Sequence, residues 1–264
     1  MMNDPKALVL TEVVDGIGIA TLNRPDHHNL LDASLVQALI AVVDDMNARA
    51  DVRVIVLSAL GDSFSIGSDP QEMERSGLMS ADPALAAQLM RALAESAKPV
   101  VARVQGPARG LGAGLLAACD VAIASFDAHF SFDSVRTGQV PAVIAPWVIG
   151  AIGPARARRY FLTGERFSAS EAFRIGLLSE IVASADDLDE AVGEVVDALL
   201  LGGPRAQHQI KSLVRALGRP HADQQTLDHV IGLEERIDTG AEAQEGLDAL
   251  FARRHPGWVP VGMS

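Results

Sequence analysis

The sequence has little cysteine, few aromatic side chains and an excess of negative over positive charge. A single cysteine, Cys119, excludes an internal disulfide bond. Aromatic residues make up only 4% of the 264 residues, so we expect a core built mainly from aliphatic side chains and alanine. Lys and Arg total 22 against 34 Asp and Glu, a net charge of −12. This balance argues against a nucleic acid or an anionic membrane as the main partner.

A secretion signal and a membrane-spanning run are also missing. The first ten residues, MMNDPKALVL, lack the charged, apolar and cleavage regions of a signal peptide, so we expect a cytoplasmic protein. The longest uncharged stretch, 137–155, contains three prolines and three glycines, a density that a membrane helix does not tolerate. We therefore expect no membrane insertion, and we interpret this stretch as a loop that leads into short buried helices.

Periodicity in the first 60 residues predicts strands and a helix. Residues 8–22 form two β-type runs around Asp15-Gly16, a strong hairpin pattern. In 34–49 apolar residues recur every three or four positions, which indicates an amphipathic helix. The run 52–59 is almost continuously β-branched or apolar, as in a strand covered on both faces.

The rest of the chain divides into an α/β part and a helical part. Strands are predicted at 100–104, 121–125 and 177–182, and Ser168-Ala-Ser-Glu171 fits a capping box for a short helix. Beyond Asp186 the periodicity is helical. No repeat or linker separates these parts. We expect one α/β core at 1–200 and a helical C-terminal portion at 201–264.

Two glycine-containing loops each follow a strand and precede a helix: FSIGSD at 64–69 and GPARGLGAG at 106–114. Such loops can aim backbone N–H groups at an oxygen that becomes negative during a reaction. Composition alone favours plain turns over an anion site. The second loop is not a dinucleotide fingerprint, because GLGAG lacks the full spacing. Asp69 fits a helix N-cap better than a catalytic role.

These loops and several longer motifs together resemble the crotonase, or enoyl-CoA hydratase/isomerase, superfamily. Over nearly the whole chain the family pattern is followed in order by Asn23-Arg24-Pro25 with Asn29, FSIGSD at 64–69, KPVVARVQGPARGLGAGLLAACDVAIAS at 98–125, VPAVIAPWVIGAIG at 140–153, LTGERFSASEAFRIGLLSEIV at 162–182 and EGLDALFARRHPGW at 245–258. The segment 135–153 is most similar to the branch that hydrates methylglutaconyl-CoA and related branched enoyl-CoA substrates.

The resemblance implies an α/β fold, a crotonase-like spiral of ββα units with a helical C-terminal trimerisation portion. It implies a homotrimer or a dimer of trimers that binds an acyl-CoA or enoyl-CoA thioester. Coenzyme A would be part of the substrate, so no separate cofactor and no metal are expected. The thioester oxygen would lie in an oxyanion hole formed by the backbone N–H groups of Ser68 and Leu111. Leucine replaces the commoner glycine at 111, which keeps the donor while its side chain narrows the pocket.

Family hydratases hold a water between two glutamates, and the resemblance places these at Gly114 and Ser134. Neither residue can act as a carboxylate. A third position, used by some isomerases, falls on Ala142. Asp133 adjoins Ser134, but in an extended segment its side chain would point to the opposite face, so it would reach the substrate only through a bulge. Otherwise Asp133 is a solvated or capping residue, and Ser134 alone is a poor base.

The resemblance assigns contacts with CoA to Arg24, His27, His28, Ile66, Arg253 and Arg254. His27 and His28 lie where the family's loop passes the CoA nucleotide, although histidines in a polar surface turn are common without any ligand. Arg24, Arg253 and Arg254 are better candidates for phosphate binding, with a solvated charge as an equal alternative.

Three functions remain open from the sequence. The leading one is an enzyme that hydrates 2-enoyl-CoA thioesters. The second is a non-catalytic acyl-CoA carrier or sensor that kept the pocket and lost the glutamates. The third is another reaction of CoA thioesters, such as isomerisation or hydrolysis, with an acid that the sequence does not locate.

Overall fold

The computed structural model describes residues 7–77, 80–218, 224, 228, 231–232, 234–236, 239–254 and 256. Its strands are β1 (Val9–Val14), β2 (Ile17–Leu22), β3 (Val54–Ala59), β4 (Val100–Val104), β5 (Ala108–Arg109), β6 (Val121–Ser125), β7 (His129–Ser131), β8 (Phe167–Ser168) and β9 (Glu180–Val182). Its helices are α1 (Ala33–Ala48), α2 (Pro70–Ser76), α3 (Pro83–Ala94), α4 (Leu111–Ala118), α5 (Ala145–Thr163), α6 (Ala169–Ile175), α7 (Leu188–Leu201), α8 (Pro204–Gly218) and α9 (Ala241–Phe251).

A six-stranded sheet with the order β1-β2-β3-β4-β6-β9 carries the fold. β1 and β2 form the predicted antiparallel hairpin, because Asp15 and Gly16 adopt φ of 50° and 87°, the positive values that such a two-residue turn requires. The remaining neighbours are parallel. All six residues of β3 are buried, which confirms the prediction of a strand covered on both faces.

Helices cover both faces of this sheet. Alternate residues of β3 belong to different core clusters: Ile55 packs in the large cluster that includes α1 and α3, and Val54 packs with α7. Successive side chains of a strand point to opposite faces, so α7 and the α1–α3 layer lie on opposite sides. The sheet is therefore the middle layer of an α/β core.

A second, three-stranded sheet consists of the short strands β5, β7 and β8. Along the chain, β5 comes after β4 of the main sheet and β7 comes after β6. An isolated parallel bridge joins Ser65 to Ala108, and Ala108 in turn pairs with Phe130 of β7. Three successive strand–strand–helix units thus contribute one rung each: 64–69, 106–110 and 129–134. This arrangement matches the predicted spiral of ββα units and places both glycine-containing loops side by side.

The few aromatic side chains concentrate behind this second sheet. Tyr160 and Phe167 have ring centroids 4.3 Å apart, and Phe132 meets Phe161 edge to face at 5.3 Å. Phe130 joins the group through Phe167 at 5.8 Å. The prediction of an aliphatic core is confirmed for the main sheet, whereas the small sheet packs against aromatic side chains.

Three local predictions need correction. Residues 137–155 are not mainly loop: α5 begins at Ala145 and continues to Thr163, broken at Gly153, where φ is 78°. Ser168 caps α6 by accepting from the Glu171 N–H, but the Glu171 carboxylate binds Tyr160 and Arg174 instead of completing a capping box. The last strand begins at Glu180 rather than at 177.

The C-terminal helices touch the α/β core. Lys211 of α8 binds the Asp120 carboxylate at 2.5 Å. α9 lies so close to the turn at Asp133–Thr137 that a Cβ on Gly246 would be 2.4 Å from the Thr137 carbonyl. The division at 200/201 stays a prediction, and it falls within the last turn of α7. Among the described helices, none is long and apolar enough to cross a membrane.

Candidate active site

The two glycine-containing loops are hydrogen-bonded to each other. The Ser65 N–H donates to the Pro107 carbonyl at 3.2 Å, and the Ser65 carbonyl accepts from the Arg109 N–H at 2.9 Å. Glycine is required at this contact, because a Cβ on Gly112 would lie 2.3 Å from the Ser65 oxygen. The predicted loop at 106–114 is shorter than expected, since α4 already begins at Leu111.

Two backbone donors lie together where the loops meet. A Cβ on Gly67, which has φ of 63°, would be 2.9 Å from the Leu111 nitrogen. Standard bond lengths then place the Ser68 and Leu111 nitrogens within about 7 Å of each other. In the described part of the chain neither N–H donates to another protein atom. Because Leu111 is the first residue of α4, its N–H is also at the positive end of a helix.

A cationic cleft of about 350 Å³ opens beside these loops. Its charged lining consists of Arg75, Arg109 and Arg166 against the carboxylates of Asp69 and Glu72, a net charge of 3 − 2 = +1. Of the residues predicted to contact CoA, His28 and Ile66 line this cleft. The structure therefore brings two of the six predicted residues to the cleft beside the donors.

The other four predicted residues lie elsewhere or are committed to partners. Arg24 forms a pair with Asp32 at 2.7 Å, with only 13% of its side chain exposed, and it is not part of the cleft wall. His27 binds Glu72 at 2.8 Å. Arg253 and Arg254 follow α9 on the surface, where Arg254 pairs with a carboxylate of the same helix.

Arg166 and His129 line the cleft, and sequence reasoning missed both. Arg166 makes no hydrogen bond or ion pair within the described residues, so its charge is available to a ligand. Burial and the neighbouring charges of Arg166 and Arg109 hold the pKa of His129 below its usual value. Nothing in the sequence distinguishes Arg166 from the other arginines, because its position follows from the pairing of β7 with β8.

Arg109 itself is held by two carboxylates. Its Nη1 donates to Asp69 at 2.6 Å, and its Nε and Nη2 donate to Asp133 at 3.1 and 2.6 Å. Burial lowers the pKa of Arg109, but the charges of Asp133 and Asp69 outweigh that effect and raise the pKa above its usual value. Asp69 also accepts from the Glu72 N–H at 3.0 Å, which confirms the predicted N-cap.

The positions of the two expected glutamates contain no carboxylate, and one of them is closed. Gly114 is buried, and a Cβ there would lie 2.5 Å from Ile144 Cγ2. Ser134 is half-buried, and its hydroxyl has no hydrogen-bond partner in the part of the chain described. Ala142, the third position, is buried too. A glutamate would fit at 114 only if Ile144 moved or became smaller.

Two carboxylates lie close to these positions, one as a neighbour along the chain and one through a long-range contact. The prediction that Asp133 belongs to an extended segment is wrong, because this residue opens a 3₁₀ turn. Its carboxylate binds Arg109 rather than facing solvent or capping a helix. Glu234 accepts a hydrogen bond from the Val143 N–H at 3.0 Å, beside Ala142. The sequence could not reveal Glu234, because the contact spans 91 residues.

Metal-binding side chains are scattered across the described residues. No group of three or more His, Cys, Asp or Glu in that part of the chain could hold an ion. Cys119 is buried at the end of α4. To an anionic ligand this part of the chain offers arginines and backbone N–H groups, and the expected absence of a metal or separate cofactor stays a prediction.

A spiral of strand–strand–helix units with two adjacent donor loops defines the crotonase class of folds. The family model described as "Enoyl-CoA hydratase/isomerase" matches residues 12–260. The chain therefore belongs to the enoyl-CoA hydratase/isomerase family.

Individual relatives support this membership over nearly the full length. A protein of Rhizobium meliloti named a probable enoyl-CoA hydratase is 33% identical over 253 residues, covering 93% of this chain and 95% of the relative. The crystal structure of an enoyl-CoA hydratase from Mycobacterium avium has 32% identity and a TM-score of 0.85, covering 96% of this chain and 100% of its own. That of an enoyl-CoA hydratase from Shewanella pealeana has 35% identity and a TM-score of 0.75, covering 97% of each chain.

Proposed function

We propose that this protein binds an acyl-CoA thioester with the thioester oxygen between the N–H groups of Ser68 and Leu111. The observation that carries the proposal is this pair of adjacent donors, neither bonded to another described residue. The N–H groups of an exposed loop residue and of the first residue of a helix are open to bonds from water or from a ligand. Two such donors stabilise the charge that develops on a thioester oxygen when an enolate forms.

The cationic cleft supplies the binding site for the CoA moiety in this proposal. Arg166 and Arg75 line it, and Arg75 is 61% exposed even though it pairs with Glu72. A chain with a net charge of −12 needs such a local concentration of arginines to bind a phosphate-bearing ligand. We therefore add Arg75 and Arg166 to the proposed phosphate contacts, and the contacts predicted for Arg24, Arg253 and Arg254 stay predictions.

Hydration of a 2-enoyl-CoA is the proposed reaction. A base takes one proton from water as its oxygen adds to C3, the negative charge moves onto the thioester oxygen, and a proton is then delivered to C2. The donor pair supports the charge, but Gly114 and Ser134 supply no acid or base. The candidate carboxylates are Asp133, next to Ser134 along the chain, and Glu234, which binds the Val143 N–H, so we expect slow turnover that depends on one of them.

Binding of the thioester group tests the proposal directly. Calorimetry would compare butyryl-CoA with S-butyl-CoA, a thioether that keeps the nucleotide and the alkyl chain but lacks the carbonyl oxygen. Two hydrogen bonds to that oxygen predict at least about fivefold tighter binding of the thioester. Equal affinity for the two ligands would overturn the donor pair as the binding site, and no binding of either would overturn the CoA proposal.

A carrier or sensor without catalysis is the second candidate, favoured by Ile144, which fills the space behind Gly114. Crotonyl-CoA hydration, followed by the loss of the enoyl absorbance, separates the two functions. A measurable rate that falls in Glu234→Gln or in Asp133→Asn, while the preference for the thioester over S-butyl-CoA is kept, identifies the group that handles the proton. Tight thioester binding without hydration, and without exchange of the C2 protons in deuterated water, would establish the carrier instead.

We propose a homotrimer, alone or paired as a dimer of trimers, in the cytoplasm. In α8, Ile210, Leu213 and Val214 are each more than half exposed, an apolar face suited to a neighbouring subunit. Sedimentation at micromolar concentration should give the mass of three or six chains. A stable monomer would contradict the trimer without affecting the proposal for CoA binding.

A further inference from the structure

Arg109 occupies the middle rung of the small sheet and reaches both neighbouring rungs. Its Nη1 binds Asp69 in the loop before, and its Nε and Nη2 bind Asp133 in the turn after. These contacts join parts of the chain 40 and 24 residues away. One side chain thus connects three consecutive units of the spiral.

Each partner of this bridge adjoins a residue on which the proposed site depends. Asp69 directly follows Ser68, and Asp133 directly precedes Ser134. Arg109 lies two residues before Leu111, and its own N–H is bonded to Ser65 of the first loop. A change in the length of the bridge would therefore shift the two donor nitrogens relative to each other.

We propose that Arg109 is a positioning residue that sets the spacing of the Ser68 and Leu111 N–H groups. The inference rests on the proposed function, because it concerns the same pair of donors. Hydrogen bonds fix the first loop from Ser65 as far as the Gly67 carbonyl, which accepts from the Leu31 N–H at 2.9 Å, so Ser68 is the first residue beyond them. The Asp69–Arg109 contact is the tie on the far side of Ser68, so the donor is held from both ends.

Direct binding of a CoA phosphate is the competing role for Arg109, which lines the cleft. Its geometry favours the positioning role. Two edges of the planar guanidinium are used, since Nε and Nη2 donate to Asp133 and Nη1 donates to Asp69. A guanidinium shared by two carboxylates belongs to a cluster with a net charge of −1, which attracts phosphate less than the unpaired Arg166 does.

Substitution of Arg109 separates these roles when affinities for butyryl-CoA and S-butyl-CoA are compared. Loss of spacing affects only the ligand that has a carbonyl oxygen. In Arg109→Gln we expect the thioester preference to fall from at least about fivefold to less than about twofold, with S-butyl-CoA affinity nearly unchanged. The matched control is Arg103→Gln, which removes another arginine–aspartate pair, with Asp189, away from the cleft. That control should keep the full preference.

Asp69→Asn tests the bridge from its other end and covers the case in which Arg109→Gln fails to fold. Asparagine caps helices as well as aspartate does, so α2 keeps its cap while the charge that holds Arg109 is lost. We expect the same selective loss of thioester preference. If Arg109 were a phosphate contact, removing a competing carboxylate would instead strengthen binding of both ligands.

The outcomes are distinct. A wild-type protein without thioester preference overturns the proposed function itself. A wild type with the preference, retained in Arg109→Gln and Asp69→Asn, overturns only the positioning role of Arg109. An equal loss for both ligands in Arg109→Gln assigns Arg109 to the phosphates and overturns the positioning role as well.

Discussion

The two sides of the candidate site use different parts of the chain. The donor side consists of backbone N–H groups on loops packed so closely that a Cβ on Gly106 would lie 2.0 Å from the Asp62 carbonyl. The acid side depends on side chains, and it has Gly114 and Ser134 where the family's glutamates are expected. A leucine in place of glycine at position 111 still has the backbone N–H that donates a hydrogen bond. A glycine or serine in place of a glutamate has no carboxylate to transfer a proton.

The largest effect is expected from separating the donor loops. In Gly112→Ala the new methyl group would overlap the Ser65 carbonyl, whose oxygen would be 2.3 Å away. We expect a loss of more than about 2 kcal/mol in the free energy of unfolding, because backbone cannot move aside as a flexible side chain can. The thioester preference should disappear. Urea unfolding and calorimetry measure the two effects.

Gly193→Ala is the matched control, since Gly193 also lies in a helix but has no heavy atom near its added Cβ within 4 Å. The same substitution should there stabilise the protein by about 0.5–1 kcal/mol, because alanine loses less backbone entropy than glycine. Opposite signs at the two glycines would support the close packing of the donor loops. A destabilisation of less than about 0.5 kcal/mol in Gly112→Ala would contradict it.

Restoring a carboxylate on the acid side is expected to have the next largest effect. Ser134→Glu should raise the rate of crotonyl-CoA hydration at least about tenfold, since a well-placed acid or base contributes about 10²- to 10⁴-fold. Ser134 is half-buried with a hydroxyl that binds no described residue, so its replacement breaks no hydrogen bond. Ser134→Gln, of the same shape without the charge, is the control and should leave the rate unchanged.

The same experiment at position 114 should fail unless space is made. Gly114→Glu alone would force the side chain against Ile144, so we expect an unstable protein without gain in rate. Combined with Ile144→Ala, it should give a folded protein that hydrates crotonyl-CoA faster than Ile144→Ala alone. A stable and active single variant would show that the Ile144 side chain does not close this position.

The smallest effect concerns the pH dependence of the donor side. Burial alone would raise the pKa of Glu72, but hydrogen bonds from His27 and Arg75 outweigh it and leave this pKa below its usual 4.5. A lowered pKa stabilises the fold above about pH 4.5, and this contribution is lost as the pH falls through the lower value. Glu72→Gln should cost on the order of 1 kcal/mol at pH 7. Unfolding curves of the two proteins should converge below pH 4.5, and a constant difference would contradict this origin.

Local patterns predicted most of the scaffold because they depend on neighbouring residues. The turn follows from the Asp15-Gly16 pair, whose residue types tolerate positive φ. The buried strand β3 follows from its run of β-branched residues. The Asp69 cap follows from its place before a helix. The start of α4 was missed, because glycines at 110, 112 and 114 suggested that the loop continues. Helix formation there is enforced by packing on Ser65, which composition does not show.

Long-range contacts explain what the sequence could not predict about the site. Arg109 finds its carboxylates 24 and 40 residues away, and Ile144 closes Gly114 across 30 residues. The side-chain direction of Asp133 was predicted from an extended backbone, and the 3₁₀ turn changes it. Motif order pointed to Ser68 and Leu111 because a backbone N–H needs no particular side chain, and their role as donors to a ligand stays a proposal.

The contact between Gly114 and Ile144 also bears on how this chain can change over generations. A change to glutamate at 114 requires two substitutions, and each is harmful when it comes first. Ile144→Ala alone leaves a buried cavity that costs about 2–5 kcal/mol, and Gly114→Glu alone overfills the core with a charged group. Both single-substitution intermediates are therefore expected to be less stable than the present sequence. A lineage with this pair gains a carboxylate more readily at another position, such as 134, than at position 114.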